Sequence, residues 1–188
     1  MHTMLLRVTH QVTAHFEYIL SRGKKLDPRV VMHAAGSYRR GSADSGDVDV
    51  LVSHPDEECA QDLLAWLLEV LQSEDYIDAM LSRSEESTIP EQADDPPGPW
   101  CHTCCLIARL PDAHALADLP RPLRRRRVDI KVYPWQCLPF ALLYFTGSEH
   151  FNRSMRFYAK QVRGVWLGTV VHDCGCSRVS RTSRTSSR

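Results

Sequence analysis

The sequence predicts an α+β domain: a mixed five-stranded sheet with helices packed against it. Three observations carry that prediction. Two segments containing Asp alternate strictly with apolar residues. Apolar stripes at three- and four-residue spacing lie between such segments. The chain has 188 residues, 43% of them hydrophobic, which suffices for one buried core.

Leu5, Val8, Val12, Phe16 and Ile19 recur every three or four residues, so residues 4–22 read as an amphipathic helix with Gly23 at its C-cap. Val30 to Ala35 is short, apolar and β-branched at its start, a buried strand. Asp47 to Ser53 alternates polar and β-branched residues, a second strand. Leu63, Leu64, Leu67, Leu68 and Leu71 form one face of a helix over 58–73. Tyr76 to Arg83 reads as a third strand, 85–100 as a loop rich in Pro and acid, and Cys101 to Leu110 as a fourth strand. Pro111 to Pro122 is a connection, and Arg125 to Tyr133 a fifth strand ending at Pro134. Residues 136–145 and 148–161 read as two short helices broken at Gly147. From about Gly168 the periodicity fails, and the Ser/Arg/Thr end is expected to be disordered.

Formal net charge is zero, but the last twelve residues carry four Arg and no acid. The remainder is therefore net negative by four, less basic than a whole DNA-binding protein usually is. A carboxylate-lined metal site pushes a core in that direction. The seven Cys are odd in number, no apolar run follows a basic start, and no stretch reaches the length of a membrane span. These features read as a reduced, intracellular chain with no membrane partner.

The chemistry concentrates in three places. In Asp47-Val48-Asp49-Val50, alternation puts both carboxylates on one face and both valines on the other. Side by side, the carboxylates repel each other. A divalent cation removes the repulsion, and oxygen-only ligands favour Mg²⁺. Asp129, in Val128-Asp129-Ile130, adds a third carboxylate on another strand. Three carboxylates can hold two ions about 3.5–4 Å apart, the arrangement for in-line phosphoryl displacement. Gly36-Ser37 follows the first strand, where glycine backbone, serine hydroxyl and succeeding amides can approach phosphate oxygens, with Arg39 and Arg40 one turn on. A lone Asp-x-Asp is usually a solvated edge and a lone Gly-Ser a turn. The ordered combination reverses that weighting.

Gly36-Ser37-Tyr38-Arg39-Arg40-Gly41 through Gly46-Asp47-Val48-Asp49-Val50-Leu51 resembles the first catalytic block of family X DNA polymerases, within the nucleotidyltransferase superfamily. Arg127-Val128-Asp129-Ile130 resembles their third-aspartate strand. Leu142 to Ser148 and His150 to Arg156 resemble the block that follows, closest to the beta and lambda branch. The resemblance spans roughly residues 8–167. It implies a palm over 1–134, the truncated start of a C-terminal nucleotide-selection subdomain over 135–167, and an unrelated or disordered tail over 168–188. It implies template-directed transfer of a deoxynucleotide to a DNA 3′-hydroxyl, of the gap-filling repair type, with two Mg²⁺ that Mn²⁺ can replace. The implied partners are a gapped primer-template and a deoxynucleoside triphosphate, in a nuclear monomer.

Roles carry over residue by residue. Asp47, Asp49 and Asp129 resemble the metal-binding aspartates, and Arg127 an Arg that orients the third. Gly36, Ser37, Arg40 and Gly46 resemble the triphosphate-holding groups. Tyr144, Phe145 and Gly147 resemble the segment lining the nucleotide sugar. Asn152 resembles a contact to the base edge, and Arg156 a reader of the minor groove. The bland readings are helix packing for Tyr144 and Phe145, and for Arg127 a solvated place in the run Arg124 to Arg127.

The family's lyase domain, its helix-hairpin-helix segments and most of its C-terminal subdomain lack counterparts here, so weak DNA binding and poor polymerisation are expected of the chain alone. Lys131, two residues past Asp129 on the same strand face, departs from the family's apolar residue. It either pairs with a catalytic carboxylate and weakens metal binding or lies beyond reach. Two alternatives stand beside the polymerase reading. One is a catalytically silent palm remnant with at most a binding role. The other is a template-independent nucleotidyltransferase, against which Tyr144-Phe145 argues, since that branch resembles Gly-Trp there. Cys101-His102-x-Cys104-Cys105 with Cys174 and Cys176 offers zinc ligands, but alternation along a strand turns the first group apart. His114, His150 and His172 read as surface or packing histidines.

Overall fold

The computed structural model describes residues 2–42, 45–86, 100–111 and 125–163. The sequence expectations for most of the acidic loop, the second connection, Arg124, His114, His172, Cys174, Cys176 and the tail lie outside the described residues.

The element order is α1 (His2–Leu26), β1 (Val31–Ala34), α2 (Gly36–Arg39), β2 (Asp47–Ser53), α3 (Glu57–Ser73), β3 (Ile77–Glu86), β4 (Cys101–Ala108), β5 (Arg126–Val132), a 3₁₀ turn (Trp135–Cys137), α4 (Leu138–Thr146) and α5 (Glu149–Arg163). The five strands form one sheet in the order β1-β2-β5-β4-β3. Only the central β2–β5 pair is parallel; the other three pairs are antiparallel. The mixed α+β architecture expected from the sequence is the one observed.

Alternation divides the sheet into two faces. Val48, Val50 and Val52 of β2, Val128, Ile130 and Val132 of β5, and Cys104, Leu106 and Ala108 of β4 are buried on one. They form a single core with Val12 and Ile19 of α1 and Leu63, Leu64, Leu67, Leu68 and Leu71 of α3. Each of the buried Val, Leu and Ile side chains stabilises the fold by about 1.5–3 kcal/mol. The start of α3 is fixed by Asp56, whose carboxylate accepts from the Cys59 amide at 3.2 Å, and by Glu57 and Glu58 in the positive first turn. Polar ties join the helices to the sheet. His15 Nδ1 meets the Tyr76 hydroxyl at 2.7 Å, and Arg126 donates twice to Gln11 Oε1, at 3.0 and 2.7 Å.

Two sequence expectations need correction, and the helices divide between the two faces of the sheet. Gly23 is no C-cap: α1 runs through it to Leu26. A Cβ at Gly23 would overlap the Met32 methyl, so the glycine serves close packing of α1 on β1. The third strand runs to Glu86 rather than Arg83, because β4 supplies partners as far as the Glu86–Cys101 pair. The helices do not all lie on one face. Leu51 points away from the main core and packs with Ala35, Tyr133, Cys137, Leu138 and Ala141, so α4 covers part of the opposite face. Among the described residues, no helix is long and apolar enough to cross a membrane.

Candidate functional site

The part of the second face that α4 leaves open carries the charged residues. The parallel register pairs Asp47 with Arg127, Asp49 with Asp129 and Leu51 with Lys131. Neighbouring strands lie about 4.8 Å apart, so a two-residue step along β2 and one step across to β5 gathers Asp47, Asp49 and Asp129. Their side chains are 28%, 22% and 20% exposed, enough for a ligand to reach and too little for water to screen them fully.

Two cations answer these three carboxylates. Arg127 donates from Nη2 to Asp47 Oδ2, and its Nε stands 3.6 Å from Asp129 Oδ1. Its pKa is raised by Asp129 and then by Asp47. Lys131 Nζ lies 3.4 Å from Asp49 Oδ1 and 4.8 Å from the centre of the Phe145 ring. Burial raises the Asp49 carboxyl above its ordinary range; Lys131 opposes that shift, and the charges of Asp47 and Asp129 add to it. Asp129 Oδ1 is buried without a hydrogen-bond partner. These donors suit a hard divalent cation: the set is all oxygen, crowded with negative charge, and includes an unsatisfied buried acceptor.

The segment between β1 and β2 closes one side of this cluster. Gly36 has φ +60°, and a Cβ there would overlap Asp49 Oδ2. The Ala35 amide donates to the Asp49 carbonyl at 2.9 Å, tying the start of α2 to β2. Ser37 Oγ meets Ser45 Oγ at 2.9 Å, and Ser45 Oγ donates to the Asp47 carbonyl at 3.0 Å. Gly46 stands just before β2 with nothing within 4 Å of where a Cβ would be. Arg40 reaches from the end of α2 to α4, donating from Nη1 to the Thr146 carbonyl at 2.7 Å.

The α4–α5 junction forms the opposite wall. Tyr144 and Phe145 meet edge to face at 5.1 Å, and Phe145 also touches the Tyr133 ring at 6.0 Å. Both pack against the smaller apolar cluster, so the packing role weighed for them is real. Gly147 ends α4 at φ +67°, with Arg40 Nη1 3.4 Å from where its Cβ would be. Asn152, on the first turn of α5, is buried; its amide donates to the Tyr144 carbonyl at 2.8 Å and its Oδ1 has no partner. Arg156 lies one turn further along α5, half-buried. The structure thus gathers the three aspartates, Arg127, Gly36 and Lys131 directly. Phe145 joins them through Lys131, while Arg40 links α2 to Thr146 and Gly147 at the end of α4.

Sequence reasoning missed Cys105. It is the register partner of Asp129 on β4, and its thiol, hydrogen-bonded to Asp129, is pushed up to about 11 by burial and then by that carboxylate. Only the β4–β5 register reveals this. Cys104 points into the main core instead, so the two neighbouring thiols do turn apart. A second group of ligand types, His54, Asp56 and Cys59, lies within 4.8 Å at the far end of β2. Its groups are engaged locally: His54 Nδ1 accepts from the Asp56 amide at 3.0 Å and Asp56 caps α3.

Comparison with known proteins relates the sequence to a family. The DNA polymerase beta palm family matches residues 9–135, and the DNA polymerase beta thumb family matches 141–168. DNA polymerase lambda of Rattus norvegicus is 36% identical over 155 residues, covering 82% of this chain and 24% of that protein. DNA polymerase lambda of Arabidopsis thaliana is 30% identical over 155 residues, covering 82% of this chain and 26% of that protein. The chain spans about a quarter of the length of these relatives.

Proposed function

The chain belongs to the family X DNA polymerases, and on that premise we propose that it is the palm of a template-directed, gap-filling polymerase that joins a deoxynucleotide to a DNA 3′-hydroxyl. The observation that carries this reading is the gathering of Asp47, Asp49 and Asp129 by the β2–β5 register, with an unsatisfied Asp129 Oδ1. Those carboxylates would hold two divalent ions, Mg²⁺ or Mn²⁺, which when bound neutralise charge on the triphosphate and acidify the attacking hydroxyl.

The chain's own groups supply the rest. In this reading Asp129 Oδ1 takes the proton of the 3′-hydroxyl, since among the described residues it is the buried carboxylate oxygen of the cluster left without a hydrogen bond, with Arg127 Nε 3.6 Å away to stabilise its charge. Arg127 keeps Asp129 and Asp47 in register by standing between them. The Gly36-Ser37 turn, Gly46 and Arg40 receive the phosphates; the remaining guanidinium hydrogens of Arg40 extend beyond its bond to Thr146. Tyr144, Phe145 and Gly147 bound the sugar, Asn152 meets the base edge through Oδ1, and Arg156 reads the minor groove. Positions 1–134 act as palm and 135–167 begin the nucleotide-selection subdomain, supported by the palm and thumb matches on either side of residues 136–140. The partners are gapped primer-template DNA and a deoxynucleoside triphosphate, in a nuclear monomer.

A second reading, a catalytically silent palm, is favoured by one observation: Arg127 and Lys131 already neutralise much of the carboxylate cluster. The two readings separate on a one-nucleotide-gapped duplex. Mg²⁺-dependent extension by the 188-residue chain, lost in Asp129→Ala, supports the polymerase. Equal background in both proteins supports the silent palm.

A further inference from the structure

Asp49, Asp129 and Cys105 stand in one row across three strands. Asp129 has Asp49 of β2 as its register partner on one side and Cys105 of β4 on the other. Directly opposed residues point to the same face of a sheet, so all three side chains rise from the second face. Asp129 Oδ1, in the middle of the row, is shut off from water and has no hydrogen bond. A buried acceptor of this kind is short of a partner. Cys105 is partly exposed, and its thiol is hydrogen-bonded to the same carboxylate. Sulfur and oxygen in such contact, roughly 3.5 Å apart, are spaced like two ligands of one tetrahedral ion, with metal–sulfur and metal–oxygen bonds of about 2.3 and 2.1 Å. A thiolate prefers softer ions than Mg²⁺, Zn²⁺ among them.

We propose that Cys105 and Asp129 form a binding site for a thiophilic divalent ion of the Zn²⁺ class, on the β4 side of the aspartate cluster, where that ion competes with Mg²⁺ for Asp129. This rests on the proposed metal role of the three aspartates and names the side chain that sets which ions the cluster takes. Binding breaks the S–H bond: the sulfur electron pair goes to the ion and the proton to solvent. Arg127 Nε, 3.6 Å from Asp129 Oδ1, opposes a further cation. That side chain is half-exposed and also donates to Asp47, a partner it keeps as Nε turns away. An ion held by Cys105 and Asp129 engages the carboxylate that the proposed reaction needs, so Zn²⁺ inhibits where Mg²⁺ activates.

The test is titration of the 188-residue chain with Cd²⁺, a thiophilic probe whose thiolate complex absorbs in the ultraviolet. Cys174→Ser and Cys176→Ser are introduced into every protein compared, because two cysteines separated by one residue bind Cd²⁺ by themselves. The first equivalent should raise the absorption and release a proton, read by calorimetry in buffers of different ionisation enthalpy. Cys105→Ala and Cys105→Ser should both lose this step; the serine keeps a hydrogen-bond donor, so its loss separates ligation from a merely structural contact. Even outer partners of a metal are worth about 10–100-fold in affinity, so Asp129→Asn, which removes a ligand, should weaken the step by at least about tenfold. Excess Mn²⁺ should lower the apparent affinity for Cd²⁺. Cys59→Ala, beside His54 and Asp56, should keep the step. A chain without the step, a step that survives in both Cys105 variants, or one lost in Cys59→Ala overturns the inference; Mn²⁺ binding that is still lost in Asp129→Asn then leaves the aspartate site standing. Mn²⁺ binding unchanged in Asp129→Asn overturns the aspartate site and this inference together.

Discussion

Gly36 and Asp49 are packed so closely that a methyl group on Gly36 would overlap the Asp49 carboxylate at Oδ2. The glycine also holds φ +60°, a conformation that costs an L-residue about 1–2 kcal/mol. Gly36→Ala should therefore destabilise the protein by about 1–3 kcal/mol, combining backbone strain with displacement of Asp49. It should also weaken divalent binding, because the displaced carboxylate is a proposed ligand. Urea unfolding with and without Mn²⁺ reads both effects. An alanine protein as stable as wild type would show that the turn relaxes freely.

Asp49→Asn removes a carboxylate that burial and its two neighbours disfavour, and it deprives Lys131 of its partner. The two effects oppose each other, so metal-free stability should change by less than about 1 kcal/mol. The response to Mg²⁺ should change much more. A ligand at ten times its dissociation constant stabilises the protein that binds it by about 1.4 kcal/mol, and this increment should vanish in the variant. Thermal melts across a Mg²⁺ series measure it. An undiminished increment would place the ion elsewhere.

The joint between palm and α5 depends on Asn152. Its buried amide donates to the Tyr144 carbonyl, while its own backbone amide donates to the Ser148 carbonyl at 2.9 Å. Asn152→Ala leaves the Tyr144 carbonyl with one donor fewer and should cost about 1–2 kcal/mol. Hydrogen exchange should then quicken over 143–152 while β2 and β5 keep their protection. Uniform quickening across the sheet would mean that this joint is not a separate unit.

How far the sequence foretells this depends on the kind of interaction. Asp47, Asp49 and Asp129 are readable as one cluster because a period of two fixes which face each takes, and both strands show unbroken alternation with Val or Ile. Lys131 is readable as a neighbour on that face for the same reason. Its bond to Asp49 is not, since that depends on β2 lying beside β5 in this register. Cys105 opposite Asp129 likewise needs the β4–β5 register. Arg40 and Thr146 are 106 positions apart, and no local rule joins them. Gly23 misleads because a missing Cβ serves helix termination and close packing equally, and only the position of Met32 decides between them.

His15 sets an acid limit on the fold. It is 1% exposed, and burial, helped by Arg126, lowers its pKa to about 4. The unfolded chain takes up a proton near 6.5 that the folded chain refuses, so the unfolded state binds more protons between those values. The neutral imidazole's contribution is thus fully present above pH 6.5 and lost as pH falls toward 4, by up to about 3 kcal/mol. Chemical denaturation between pH 7 and 4 should show this slope, and His15→Gln should flatten it. An equally steep slope in the variant would assign the acid sensitivity to other groups.

The central claim is that Asp47, Asp49 and Asp129 share a divalent ion, and the location of bound Mn²⁺ tests it most directly. Substoichiometric Mn²⁺ should broaden the backbone amide resonances of residues 47–50 and 128–130 first, since the parallel register brings both segments to one place. Asp49→Asn should abolish that broadening. First broadening around His54, Asp56 and Cys59, with the β2–β5 signals unaffected, would contradict the account.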